Sequence, residues 1–332
     1  MARLILGSTH FAQQFVVEGG LAPSTLHQML GTQLSSAALT DTLLILCQLA
    51  RINALAESTR SKGAFNAVTH GTVLSERLPA LLHHADAGVR AKACNLVGNL
   101  CKHSNEYHGL LKDNGLLDLL ANACADPDAS VRKFACFAVG NAGFHNGDLY
   151  RHLQPCIAPL VDCLSDSDSK TRANAAGALG NLARNGPHLT AELIRCHVPH
   201  ALLSLALHIF APGDADVKHE QEAVAMCSYV NCASSASRDE STRAPQHNMT
   251  APTDTTFSPI SAPANFAGGI ASRLRPSRTA LFSLGNIFCH ADCRAVMTKD
   301  SLQEALKPFE THSDSVLRQY AMRALLKLSG TR

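Results

Sequence analysis

The sequence contains no tryptophan, and aromatic residues fill only 5% of its 332 positions. A core built without them must rest on small and aliphatic side chains, which suits helices crossing at close range. Charge is sparse too, at 17% of residues against roughly 25% in average soluble domains. Formal net charge is +2 with histidine neutral, and the basic residues form no run. That balance gives no global attraction to nucleic acid or to an anionic membrane, so neither is expected as a partner. No stretch of about 18 apolar residues is present to cross a bilayer, so no membrane insertion is expected. No secretory leader is expected either: Met1–Gly7 is too short to read as one, and Thr9, His10 and Gln13 follow at once. The twelve cysteines lie mostly inside apolar stretches, Cys94, Cys101, Cys136, Cys163 and Cys227 among them. Disulfide-framed secreted domains are small and loop-rich, which this chain is not. A reducing cytoplasmic setting is expected.

Catalytic signatures are equally scarce. There is no Gly-rich phosphate loop with a following lysine, no G-x-S-x-G and no H-E-x-x-H. The kinase H-R-D and D-F-G triplets are absent. Cys289-His290-x-Asp292-Cys293 and the His83-His84 pair resemble metal ligands, but neither has a second ligand pair at zinc spacing. No catalytic residue, metal or cofactor is expected, and the chain reads as a non-enzyme.

What the sequence does contain is a repeat. Ala173–Asn185 (ANAAGALGNLARN) has counterparts at Ala91–His103 (AKACNLVGNLCKH), Lys133–His145 (KFACFAVGNAGFH) and Thr279–Cys289 (TALFSLGNIFC). Each is a small-residue-rich apolar helix closing on Gly-Asn. The asparagines Asn99, Asn141 and Asn181 stand 42 and 40 residues apart, with Asn286 in the last copy. A period near 40 points to an all-α solenoid of the right-handed armadillo/HEAT type. Aspartate and arginine recur four residues apart ahead of the first three signatures, at Asp86/Arg90, Asp128/Arg132 and Asp168/Arg172, and again in the last repeat at Asp314/Arg318. Aspartate at a helix start accepts from free backbone N–H groups. The spacing further predicts an i,i+4 ion pair within each helix. Glycine inside a helix costs about 1 kcal/mol against alanine. Its repetition therefore predicts another helix crossing closely there.

The layout has three parts. Residues 1–237 hold repeats, the first incomplete: Met1–Glu18 is a tail, Leu21–Leu34 an amphipathic helix, and Ala37–Arg51 a degenerate signature with Gln48 at the Asn position. Arg60–Thr72 reads as a turn-rich connection, and Glu220–Cys232 as a weaker copy with Asn231. Residues 238–276 are dense in Ser, Thr and Pro and read as a disordered insertion, where limited proteolysis should cut first. Residues 277–332 resume the repeats, ending on Ser315–Leu328 with Leu326-Lys327 in place of Gly-Asn, as an atypical terminal repeat would.

Asn99, Asn141, Asn181, Asn231 and Asn286 are the candidate protein-binding residues. In armadillo proteins the corresponding amide lines a groove and can both donate to and accept from an extended peptide. The alternative is a bond to the neighbouring repeat's backbone. The importin type of groove also places tryptophan four residues earlier, and here those positions are Asn95, Phe137, Gly177, Cys227 and Phe282. Recognition of nuclear-localisation peptides is not expected.

Arg132–Asn146 (RKFACFAVGNAGFHN) and Lys170–Asn185 (KTRANAAGALGNLARN) go beyond a generic consensus. With Val89–Ser104 and Leu281–His290 they resemble the C-terminal armadillo region of Fused-type serine/threonine kinases. The resemblance implies a regulatory or scaffold part that binds cytoskeletal or signalling proteins. It also implies roles in signalling, motile cilia or cytokinesis, and carries over no catalytic residue. Two other readings stand beside it: a stand-alone scaffold of an unrelated assembly, and a helical-repeat enzyme such as a HEAT-like lyase.

Overall fold

The computed structural model describes residues 7–55, 72–102, 105–145, 147–185, 187–210 and 270–330. Helix follows helix through them: α1 (Thr9–Val17), α2 (Pro23–Met29), α3 (Ser36–Leu55), α4 (Thr72–Leu82), α5 (Ala87–Leu100), α6 (His108–Asp113), α7 (Leu116–Cys124), α8 (Ala129–Ala142) and α9 (Tyr150–Leu153). Then come α10 (Ile157–Asp162), α11 (Ser169–Asn185), α12 (Thr190–Arg195), α13 (Val198–Leu207), α14 (Ile270–Ile287), α15 (Ala291–Ala295), α16 (Lys299–Glu310) and α17 (Ser315–Leu328). The described residues contain no strand.

The signature helices α3, α5, α8, α11, α14 and α17 stand side by side in that order. A second row of α4, α7, α10, α13 and α16 packs each on the signature helix that follows it. A helix flanked by two signature helices and covered by a second-row helix is enclosed on most sides, and its composition obeys. In α5, Val89, Ala91, Ala93, Cys94, Leu96, Val97, Gly98, Asn99 and Leu100 are all buried. Helix α14 lies directly on α11 although residues 211–269 intervene in sequence.

The expected close crossings occur at the glycines. A Cβ on Gly98 would stand 2.3 Å from Cδ1 of Phe137 in the next repeat. One on Gly180 would meet the Ser283 hydroxyl, and one on Gly285 would stand 2.6 Å from Nη1 of Arg323. Gly115 serves another need, taking φ +63 to turn the chain into α7.

Two elements differ in extent from the sequence reading. The amphipathic helix expected over Leu21–Leu34 is only Pro23–Met29, started by a proline at its first turn and followed by Gly31. Helix α14 begins at Ile270, so residues 270–276, assigned to the insertion, are helical, with Leu274 buried. The remainder of that insertion, the 60–71 connection and the weak copy around Asn231 lie outside the described residues.

Candidate functional site

Four of the signature helices, α5, α8, α11 and α17, start at an aspartate. Oδ1 of Asp86 accepts from Gly88 N at 2.7 Å and Val89 N at 3.2 Å. Oδ1 of Asp128 accepts from Ser130 and Val131. Asp168 accepts from Lys170 N and Asp314 from Leu317 N.

The arginines do not pair with these aspartates. Arg90 forks onto Asp126 of the following repeat, Nε to Oδ2 at 2.8 Å and Nη2 to Oδ1 at 3.0 Å. Arg132 reaches Asp166 in the same way, Nε to Oδ2 at 2.6 Å. Nη1 of Arg90 donates back to the carbonyls of His84 and Ala85. Nη1 of Arg132, Arg172 and Arg318 does likewise in the loops before α8, α11 and α17. For Arg90 and Arg132 a bridge to the next repeat thus stands where the i,i+4 pair was expected, while Oδ1 of the nearer aspartate caps its own helix.

The partner aspartate lies two residues before the N-cap, a position the sequence reading passed over. Asp126 and Asp166 also accept from the N–H of Asp128 and Asp168. Where the preceding signature helix has no equivalent arginine, histidine takes this position: Nδ1 of His84 and of His312 accepts from the N–H of Asp86 and Asp314. Arg278, one position out of phase, is then paired with Asp314 itself. Burial alone would raise the carboxyls of Asp126, Asp166 and Asp314. Their arginine partners and backbone N–H bonds outweigh it and hold all three below the usual carboxylate range.

Asn99, Asn141, Asn181 and Asn286 are all buried. Nδ2 of Asn141 donates to Gly98 O at 2.9 Å, that of Asn181 to Gly140 O at 2.9 Å, and that of Asn286 to Gly180 O at 3.2 Å. Asn99 turns instead to its own helix, at the carbonyl of Asn95. The acceptor carbonyls of Gly98 and Gly140 sit at helix ends where the chain tightens. Lys102 N goes to Asn99 O and Phe144 N to Asn141 O, which leaves the glycine carbonyls open to the next repeat. Nδ2 of Asn141, Asn181 and Asn286 thus makes the bond to the neighbouring repeat's backbone that the sequence left open as the alternative. Asn231 lies outside the described residues.

Further ties went unread in the sequence. His145 and His290, four residues after their asparagines, bond the carbonyls of Lys102 and Ala183. The Tyr150 hydroxyl donates to Gly143 O at 3.1 Å and Asn181 O at 3.3 Å. Arg323 donates to the Phe282 carbonyl and to Oδ1 of Asn286. Among the positions compared with importin tryptophans, Phe137 is fully buried against Gly98.

Burial pushes the thiols of Cys47, Cys94, Cys101 and Cys156 up to about 12 and that of Cys293 to about 11, so none is a ready nucleophile. Among the described residues no three His, Cys, Asp or Glu side chains stand together as a metal set. No described helix is long and apolar enough to cross a membrane.

The Armadillo/beta-catenin-like repeat family model matches residues 154–184. Serine/threonine-protein kinase 36 of Pongo abelii is 35% identical over 211 residues, 62% of this chain and 16% of that protein. Serine/threonine-protein kinase TIO of Arabidopsis thaliana is 35% identical over 202 residues, 60% of this chain and 15% of that protein. The match thus spans about one sixth of these relatives' length. A designed armadillo repeat protein solved in complex with peptide (KR)4 superposes with a TM-score of 0.62 at 17% identity, covering 91% of this chain and 98% of that one. On these matches the chain is an armadillo-repeat solenoid similar to a non-kinase part of the Fused-type serine/threonine kinases.

Proposed function

We propose that the chain is a non-catalytic protein-binding scaffold, the regulatory part of a Fused-type serine/threonine kinase, acting in the cytoplasm at a cilium or another cytoskeletal structure. One observation carries this reading. The most distinctive polar residues of the repeat join one repeat to the next, arginine to aspartate and asparagine to glycine carbonyl. Groups engaged in this way hold a long surface in shape and are not available to turn over a substrate. In this reading the ladder asparagines serve a partner indirectly, by keeping the repeats in register.

The test is cross-linking mass spectrometry on the tagged chain recovered from ciliated and from dividing cells. Cross-links from one cytoskeletal or signalling protein should concentrate on successive signature helices. The same cross-links appearing on an unrelated helical solenoid would sink the reading. The purified chain is further expected to transfer no phosphate from ATP to protein, since the nucleotide-binding motifs of kinases are missing from its sequence. Phosphotransfer surviving removal of co-purifying kinases would overturn that.

A further inference from the structure

Two sets of cations stand out along the stack. Arg90, Arg132 and Arg278 are each tied to a carboxylate. The second group lies three residues after the ladder asparagine, or after Gln48, its counterpart in α3. On four successive signature helices, or in the turn just past their ends, that position holds Arg51, Lys102, Phe144 and Arg184. Arg51 and Arg184 are exposed, while Lys102 and Phe144 are half-buried. The Arg184 guanidinium lies 5.0 Å from the centre of the Phe144 ring. Among the described residues no carboxylate comes within ion-pair distance of Arg51, Lys102 or Arg184.

Two of these cations work against each other. Burial first, and the charge of Arg51 second, hold the Lys102 ammonium below its usual range. Lys92, at 5.5 Å from the Phe134 ring, adds positive charge on the same pair of helices, and both it and Arg51 act on Cys47 between them. Like charges with no counter-ion among the described residues disfavour one another, and an external anion would relieve them. Interaxial spacing of packed helices is about 8–10 Å, and an extended chain rises about 3.3 Å per residue, so one peptide residue in three meets each repeat.

We propose that this stripe seats an extended acidic peptide with Asp or Glu at every third residue, its backbone passing the Phe144–Arg184 stack. The proposal rests on the scaffold reading above and names its partner class. The designed armadillo protein that carries (KR)4 holds a basic peptide; the charge here has the sign that favours the opposite.

The test is a fluorescence-anisotropy titration of the full chain with four labelled probes. They are a peptide with glutamate at every third position, the same peptide with glutamine there, the (KR)4 peptide, and a single-stranded RNA. The glutamate peptide should bind at least about tenfold tighter than the glutamine one, and the difference should shrink as ionic strength rises from about 0.1 to about 1 M. Lys102→Glu and Arg184→Glu should each weaken it about tenfold. The melting temperature of Lys102→Glu should be held or raised, because among the described residues its ammonium has no counter-ion to lose; Arg184→Glu gives up the contact with the Phe144 ring and should melt slightly lower. Equal binding of the two peptides, or unchanged affinity in both variants, would overturn the proposal. So would RNA that binds more tightly and displaces the glutamate peptide. Binding of (KR)4 or of the glutamine peptide alone would overturn the acidic preference and leave the scaffold reading standing, since that is judged by cross-linking.

Discussion

Gly98 and Asn141 are two sides of one contact, and single substitutions should separate them. Gly98→Ala improves helix propensity by about 1 kcal/mol, but the new Cβ would stand 2.3 Å from the Phe137 ring. Overpacking of that kind costs typically about 1–3 kcal/mol, so net destabilisation is expected. In urea melts, combining it with Phe137→Leu should recover part of the loss; strict additivity would mean the two side chains do not meet. Asn141→Ala should cost about 1–3 kcal/mol, because it leaves the buried Gly98 carbonyl without its donor. Asn99→Ala loses chiefly bonds within its own helix, to Asn95 O and Oδ1, and should cost about 0.5–1.5 kcal/mol. Equal losses for the two asparagines would contradict the inter-repeat assignment. At the same scale the paired aspartates set an acid limit. Their carboxyls titrate lower in the folded chain than the usual value of about 3.9. Their stabilisation is therefore complete above that value and is lost as pH falls below it. Melting temperature should drop through this range in the wild-type chain and drop less steeply in Asp126→Asn.

At the scale of the element, a signature helix is defined by what surrounds it. Helix α8 buries Val131, Ala135, Cys136, Phe137, Ala138, Val139, Gly140, Asn141 and Ala142, so cysteine serves there as a small apolar residue. The described cysteines should accordingly differ widely in labelling. Cys289 is exposed at the end of α14 and should react first with an alkylating reagent on the native chain. Cys94, Cys101 and Cys136 should wait for unfolding. Peptide mapping that finds Cys136 labelled as early as Cys289 would mean that α8 opens locally.

For the whole molecule, stability should be distributed by neighbourhood, as in other stacks of repeats. Asn141→Ala weakens the α5–α8 interface, so hydrogen exchange should speed up in α5 and α8 more than in α14 and α17. A uniform change across all signature helices would show that the stack unfolds as one unit.

The sequence by itself determined the repeat, its helical class, the N-cap aspartates and the need for close approach at the glycines. These are local statements: a cap bonds its own first turn, and glycine inside an apolar helix has few other reasons to recur. Which neighbour each polar side chain chooses was decided by the tertiary structure. Arg90 bypasses Asp86 four residues before it and reaches Asp126, 36 residues on. Asn141 reaches back 43 residues to Gly98. Spacing along the chain cannot rank such partners, because stacking brings residues of the next repeat as near as those of the adjacent turn.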